Sequence, residues 1–227
     1  MSTARQSRIV VFSDVDETLI ACKSLLDFLD FYRLGRYGPA GAAEAATVRA
    51  GLTVRAAGGE RRESLNRTYF RSWRGEAERE VTAWGRRWFA ERSQEPGGFF
   101  LPGTLAALRG HVADGAMLVL VSASFPALLA PIAEAVGASE VACTRPVVRG
   151  GRFTGELLGP PMAGTAKWNA VRTVLARHPE VAAADCYGYG DHVSDLPMLA
   201  EVGHPVVVGR SPELTRLLPG AGRLPGP

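Results

Sequence analysis

The feature that most constrains this chain is an acidic turn set directly behind a short apolar strand. Arg8 to Ser13 is a brief β-branched run, and Asp14-Val-Asp16-Glu-Thr18 follows it without a spacer. A short apolar run bounded by a polar turn reads as a strand buried on both faces, the form that parallel sheets impose. The same form recurs at Met117 to Val121, at Asp185 to Tyr189 and at Pro205 to Val208, with a further short strand expected around Val141. Helical patterns fall between them, over Leu105 to Val112, Pro126 to Val136, Thr165 to Ala176 and Ser194 to Val202. The second and fourth are closed by Gly137 and Gly203. Alternation of this kind predicts an α/β fold, a doubly wound, Rossmann-like parallel sheet with helices on both faces. Gly150-Gly151 between Val147-Val148 and Phe153-Thr154 predicts a tight hairpin.

One stretch departs from the alternation. Leu25 to Arg92 offers no good strand, is rich in Ala, Glu, Arg and Leu, and is punctuated by glycines at 35, 38, 41, 58, 59 and 75. It reads as about four helices forming an inserted α-helical cap. The expected organisation is therefore a core of residues 1–22 and 96–218, a helical cap of 23–95 and a flexible tail of 219–227. The tail assignment rests on its Pro- and Gly-rich composition.

Composition narrows the class. With 46% hydrophobic and 22% charged residues, the chain has the balance of a globular protein. A net charge of +3, from 26 basic and 23 acidic residues, gives no nucleic-acid footprint. Gly115 to Ala133 carries no charge, yet Ser122, Ser124, Pro126 and Pro131 divide it into a strand and a helix, so no membrane span is expected. Cys22, Cys143 and Cys186 are scattered and odd in number, the pattern of reduced thiols in a cytoplasmic protein. His111, His178, His192 and His204 show no zinc-ligand spacing.

Four chemical signals end four expected elements: the acidic turn of Asp14 and Asp16, Ser122 after the second strand, Lys167 opening a helix, and Asp191-His-Val-Ser-Asp195 after the third main strand. Each alone has a plain structural reading, as a solvated turn, a cap or a surface charge. Together they meet in one crevice, because ligands of open α/β sheets bind beyond the carboxyl ends of the strands. Carboxylates at that density repel one another and call for a hard cation such as Mg²⁺.

These four ordered signals resemble the motifs of the haloacid dehalogenase superfamily, in particular its phosphoserine-phosphatase-like branch, whose helical cap is inserted after the first motif. The resemblance spans Ile9 to about Val208. It implies that Asp14 is a nucleophile toward phosphorus and that Asp16 is the general acid and then base. Thr18, Ser122, Ala123 and Lys167 would serve the phosphate, and Asp14, Asp16, Asp191 and Asp195 the Mg²⁺. The stretch around Asn66, Arg67 and Tyr69 resembles a cap segment of that branch, which makes Asn66 and Arg67 substrate-binding candidates. Leu65, Tyr69 and Trp73, spaced by four, also read as the buried stripe of an amphipathic helix. Two positions depart from the family pattern: Glu17 stands where glycine is common, and His192 where a small residue is usual.

The expected activity is hydrolysis of a small-molecule phosphate monoester, such as phosphoserine, a sugar or cyclitol phosphate, or a glycerol phosphate. A phosphotransferase or phosphomutase of the same fold is the nearest alternative. A phospho-aspartate receiver also uses acids, a hydroxyl and a lysine. It lacks a large helical insertion after its first strand and carries its acceptor in mid-chain. A degenerate phospho-ligand-binding module would retain the fold without turnover.

Overall fold

The computed structural model describes residues 9–227. Arg8, the first residue of the expected first strand, lies outside the described residues. The strands are β1 (Val10–Ser13), β2 (Met117–Ser122), β3 (Glu140–Cys143), β4 (Pro146–Arg149), β5 (Arg152–Leu157), β6 (Tyr187–Gly190), β7 (His204–Val208) and β8 (Gly222–Leu224). Six of them form one sheet in the order β3-β2-β1-β6-β7-β8, with every neighbouring pair parallel. β4 and β5 form a separate antiparallel hairpin, turned at Gly150 and Gly151 as the sequence predicts.

The helices are α1 (Ser24–Ala57), α2 (Arg62–Arg71), α3 (Glu78–Arg92), α4 (Pro102–Ala113), α5 (Pro126–Val136), α6 (Thr165–Arg177), α7 (Leu196–Leu199) and α8 (Pro212–Leu217). The first three are the insertion between β1 and β2. Gly38 leaves helical geometry just ahead of Pro39 and breaks α1, so the insertion contains four helical stretches.

The period-two alternation of the strands decides which layer each side chain joins. Val11, Leu118 and Leu120 point into a core shared with α4, α5 and the insertion. Val10, Phe12, Val119 and Val121 point to the other face, against Val171 and Val174 of α6, Leu199 of α7 and Leu214 of α8. Both faces of β1 and β2 are thereby dry, and each fully buried Val or Leu contributes about 1.5–3 kcal/mol.

The structure corrects two expectations. The helix expected over Ser194 to Val202 is a 3₁₀ turn, Val193–Asp195, followed by the single turn of α7. The stretch 219–227, expected as a flexible tail, supplies β8, which pairs with β7 through Val206↔Gly222, Val207↔Arg223 and Val208↔Leu224. An edge strand has one partner and one half-open face, so it needs little apolar content, and three residues between glycines and prolines leave almost no pattern. Among the described residues no helix is long and apolar enough to cross a membrane.

The insertion is seated on the core by an aromatic cluster. Phe28, Tyr32, Tyr69, Phe70, Trp73 and Trp88 are buried together with Phe125. Phe28 stacks on Trp73 with ring centroids 5.4 Å apart, and Phe70 meets Phe125 edge-on at 5.5 Å. Of the expected stripe, Tyr69 is buried on α2, Trp73 is buried in the turn just beyond it, and Leu65 is only half-buried; Asn66 and Phe70 share the buried face. At the α3–α5 contact the helices pack so closely that a Cβ on Gly85 would lie 2.2 Å from the Ala127 carbonyl oxygen, with backbone on both sides. Gly85→Ala is expected to cost about 1–3 kcal/mol by overpacking and to lower the melting temperature by several degrees. An unchanged melting temperature in a thermal scan would show that this seam gives way freely.

Candidate active site

The chain reverses direction across the sheet between β1 and β6, and the candidate residues gather at the carboxyl ends of those two strands and of β2. Asp14 follows β1 directly and its N–H donates to the Tyr189 carbonyl of β6 at 2.9 Å, so sheet hydrogen bonding runs up to the residue itself. Its Oδ1 accepts from the Val15 N–H at 2.7 Å and lies 2.8 Å from Lys167 Nζ. Lys167 stands in the first turn of α6 and is buried. Its ammonium donates to Asp195 Oδ1 at 2.7 Å. One cation thus spans two carboxylates that come from opposite ends of the sequence.

Asp195 has no solvent exposure. Its second oxygen accepts from the N–H groups of Asp191 (3.3 Å) and His192 (3.0 Å). With both oxygens engaged, Asp195 holds Lys167 and shapes the 191–192 backbone. Close approach by Asp195 is possible because residue 190 is glycine: a Cβ there would lie 2.7 Å from the Asp195 Cβ. His192 caps the 3₁₀ turn by accepting from the Ser194 N–H at 3.1 Å, and it stands exposed at the rim.

Thr18 is fully buried and donates to Asp191 Oδ1 at 2.9 Å, so it joins the two acidic loops to each other. Ser122, at the end of β2, is buried and accepts from the Ser124 N–H at 3.1 Å, with the half-buried Ala123 between them. Ser124 in turn meets Ser24 of α1, Oγ to Oγ at 3.0 Å. Asp16 is half-buried, and its Oδ1 is a buried oxygen with no hydrogen-bond partner.

The excess of negative charge is visible in the proton affinities. Asp14 is pushed up to about 7, chiefly by burial, with Asp195 and Asp191 adding and Lys167 opposing. Asp16 is also pushed up to about 7 by burial, against a hydrogen bond from Ser24. Asp191 rises to about 6 through burial and the neighbouring Asp195. Burial alone would lower Lys167, but Asp14 and Asp195 outweigh it and hold the ammonium above its ordinary value.

Asp14, Asp191 and Asp195 each offer an oxygen within 4.8 Å of the others. Three carboxylates against one lysine leave a negative excess in a buried pocket. Hard oxygen donors with that excess fit a small divalent cation.

On the insertion, Asn66 is buried and its Oδ1 has no partner. Arg67 donates to the Gly159 carbonyl at 3.2 Å, which ties α2 to the loop between β5 and α6. Sequence reasoning missed Ser24 and Ser124, since two serines a hundred residues apart carry no pattern. It also missed the significance of Glu17. That residue holds φ 57°, and it is the only non-glycine residue among those described with a positive φ. It occupies a left-handed conformation that glycine adopts freely and meets Lys23 at 3.4 Å.

A solved structure of a protein of unknown function from Bordetella pertussis Tohama I is similar with a TM-score of 0.83 and 29% identity, covering 96% of this chain and 99% of that one. A phospho-aspartyl intermediate analogue of phosphoserine phosphatase shares the fold, with a TM-score of 0.67 at 18% identity, covering 96% and 93%. In sequence, a probable phosphatase of Mycobacterium tuberculosis (strain H37Rv) is 40% identical over 101 residues, 44% of this chain and 34% of that protein. Phosphoserine phosphatase SerB1 of the same organism is 32% identical over 115 residues, 51% and 37% of the two chains. The matches span little more than a third of the length of these curated relatives. The family model of haloacid dehalogenase-like hydrolases matches residues 11–200, from within β1 to the end of α7, and the chain belongs to that family.

Proposed function

We propose that this protein is a magnesium-dependent phosphatase that removes phosphate from a small-molecule monoester through a phospho-aspartate on Asp14. One observation carries the reading: Lys167 bridges Asp14 and Asp195 in a buried carboxylate cluster at the sheet's switch point. The family and its phosphatase-named relatives support it.

In this account a carboxylate oxygen of Asp14 attacks phosphorus, and the bond from phosphorus to the ester oxygen breaks. Asp16 gives that departing oxygen a proton, which frees the alcohol. Water then attacks the acyl phosphate, Asp16 takes the proton back, and the bond between phosphorus and the Asp14 oxygen breaks to release inorganic phosphate. Splitting the displacement in two gives each step an easier nucleophile or leaving group. Lys167 and the Ser122–Ala123 turn would hold the charge on the phosphoryl oxygens. Asp14, the Asp16 carbonyl and Asp191 would hold Mg²⁺, which when bound supplies further positive charge for those oxygens. Asp195 acts as the residue that positions Lys167.

Residues 23–95 serve as the cap over this centre in the same proposal. Asn66 is its substrate-reading side chain, because a buried amide oxygen without a partner costs about 1–3 kcal/mol unless a ligand satisfies it. Arg67 holds the cap segment to the core through Gly159 rather than reaching into the crevice. The substrate class is a phosphoserine, sugar, cyclitol or glycerol phosphate. A cytoplasmic setting belongs to the proposal too, supported by the free thiols of Cys22, Cys143 and Cys186.

Phosphate release from a panel of small monoesters is expected to require Mg²⁺, to stop with EDTA, and to fall by at least about 10³-fold in Asp14→Asn. Release that persists in that variant would overturn the nucleophile assignment. Asn66→Leu is expected to keep or raise the melting temperature, since it removes an unpartnered polar atom. It is also expected to lower kcat/KM for the preferred ester about tenfold. An unchanged kcat/KM would make Asn66 a purely structural residue.

A further inference from the structure

Three hydroxyl side chains lie in the interior where the insertion leaves the core. Ser24 and Ser124 have no solvent exposure and Thr144 almost none. Buried polar groups of this kind have to be hydrogen-bonded, and these are joined in a line. Met162 N–H donates to the Thr144 hydroxyl at 3.1 Å, and Thr144 N–H donates to the Ser124 carbonyl at 3.0 Å. Ser124 N–H donates to Ser122 Oγ at 3.1 Å, and the Ser124 and Ser24 hydroxyls meet at 3.0 Å. Ser124 is thus held from three sides: by the end of β2, by the residue after β3, and by the first residue of α1.

Counting protons shows where the line ends. Two hydroxyls carry two protons, and the contact between them uses one. When Ser124 donates to Ser24, the Ser24 proton goes on to Asp16, whose carboxylate takes hydrogen bonds from both the hydroxyl and the N–H of Ser24. In the reverse sense the Ser124 proton would have no acceptor among the described residues. The Ser24 N–H has its own need. It is the first of α1, the leading N–H groups of a helix have no intrahelical acceptor, and Lys23 ahead of it supplies no side-chain cap. A carboxylate at that end meets the need and is favoured by the helix dipole. Asp16 Oδ1 is a buried oxygen with no partner, so the bonds from Ser24 fall on the other oxygen. Asp16 is held at one oxygen and bare at the other.

We propose that Ser24, braced by Ser124, is a positioning residue for Asp16: it fixes one carboxylate oxygen, so that Oδ1 is the oxygen that carries the proton to the departing ester oxygen. Neither serine touches the substrate. Ser24 opens the insertion and Ser124 follows the Ser122–Ala123 turn, so the acid is set by both parts of the chain at once. The proposal rests on the phosphatase reading for its catalytic consequence, while the hold of Ser24 on Asp16 is tested separately.

The test uses the full chain and two aryl esters of similar shape. Phenyl phosphate has a leaving group that needs a proton, whereas the phenolate of 2,4-dinitrophenyl phosphate departs without one. kcat/KM reports the steps up to that departure. Ser24→Ala is expected to lower kcat/KM for phenyl phosphate about tenfold and to leave that for the dinitrophenyl ester within about twofold. Asp16→Ala is expected to show the same split at about 10²-fold or more. Ser124→Ala, which removes only the brace, is expected to shift the ratio of the two esters the same way by about threefold, and it serves if Ser24→Ala does not fold. Separately, thermal melts in EDTA of Ser24→Ala, Asp16→Ala and the double variant are expected to be non-additive, the double shift departing from the sum of the single shifts by several degrees. Equal losses on both esters in the serine variants, or no loss on either, would overturn the proposal, because a merely structural role scales both alike. Additive melting shifts would also overturn it. Non-additive melting with no hydrolysis of any ester would leave the hold of Ser24 on Asp16 standing and sink the phosphatase reading instead.

Discussion

The site is organised around one buried ammonium. Lys167 has almost no contact with solvent, and a charge taken out of water costs several kcal/mol unless it is matched. Asp14 and Asp195 provide the match at 2.8 and 2.7 Å. That requirement fixes much of the surrounding structure. α6 has to begin where its first turn reaches the end of β1, and Gly190 has to be glycine so that Asp195 can close in. The loop after β6 then takes the shape in which Asp191 and His192 donate to Asp195. Asp191 is thereby set beside Asp14, where Thr18 holds it.

The same arrangement bears on the chemistry proposed for the centre. One lysine does not neutralise three neighbouring carboxylates, and burial raises Asp14 and Asp16 to about 7. A pocket with that residual charge favours a cation and a proton, the two things that phosphoryl transfer from a dianionic ester needs. The insertion completes the enclosure. Its aromatic cluster and its ladder to the β4–β5 hairpin seat it against the core, in the place the proposal gives to a cap.

Much of this was legible in the sequence because buried parallel strands leave unbroken apolar runs. β1, β2 and β7 show them, and candidate residues sit at the ends of the first two, Asp14 after β1 and Ser122 at the end of β2. The hairpin was legible from Gly150-Gly151. What was not legible shares a physical cause, namely weak or nonlocal patterning. β8 is a three-residue edge strand among glycines and prolines. α7 is a single turn, shorter than the apolar spacing from Ser194 to Val202 suggests. Arg67 carries a charge that fits a substrate equally well on paper, and its bond to the Gly159 carbonyl depends on a loop ninety-two residues away. Glu17 was recognisable as a departure from the family pattern, but only the backbone reveals that it holds a conformation glycine prefers.

The most direct test of the account is to find the phosphoryl group on the protein. Incubation with a phosphorus-labelled monoester and Mg²⁺, followed by an acid quench and peptide mapping, is predicted to place the label on the peptide containing Asp14, as an alkali-labile acyl phosphate. The label should be absent from Asp14→Asn. Steady phosphate release with no label on the protein, or with the label on another residue, would contradict the assignment of Asp14 as the nucleophile.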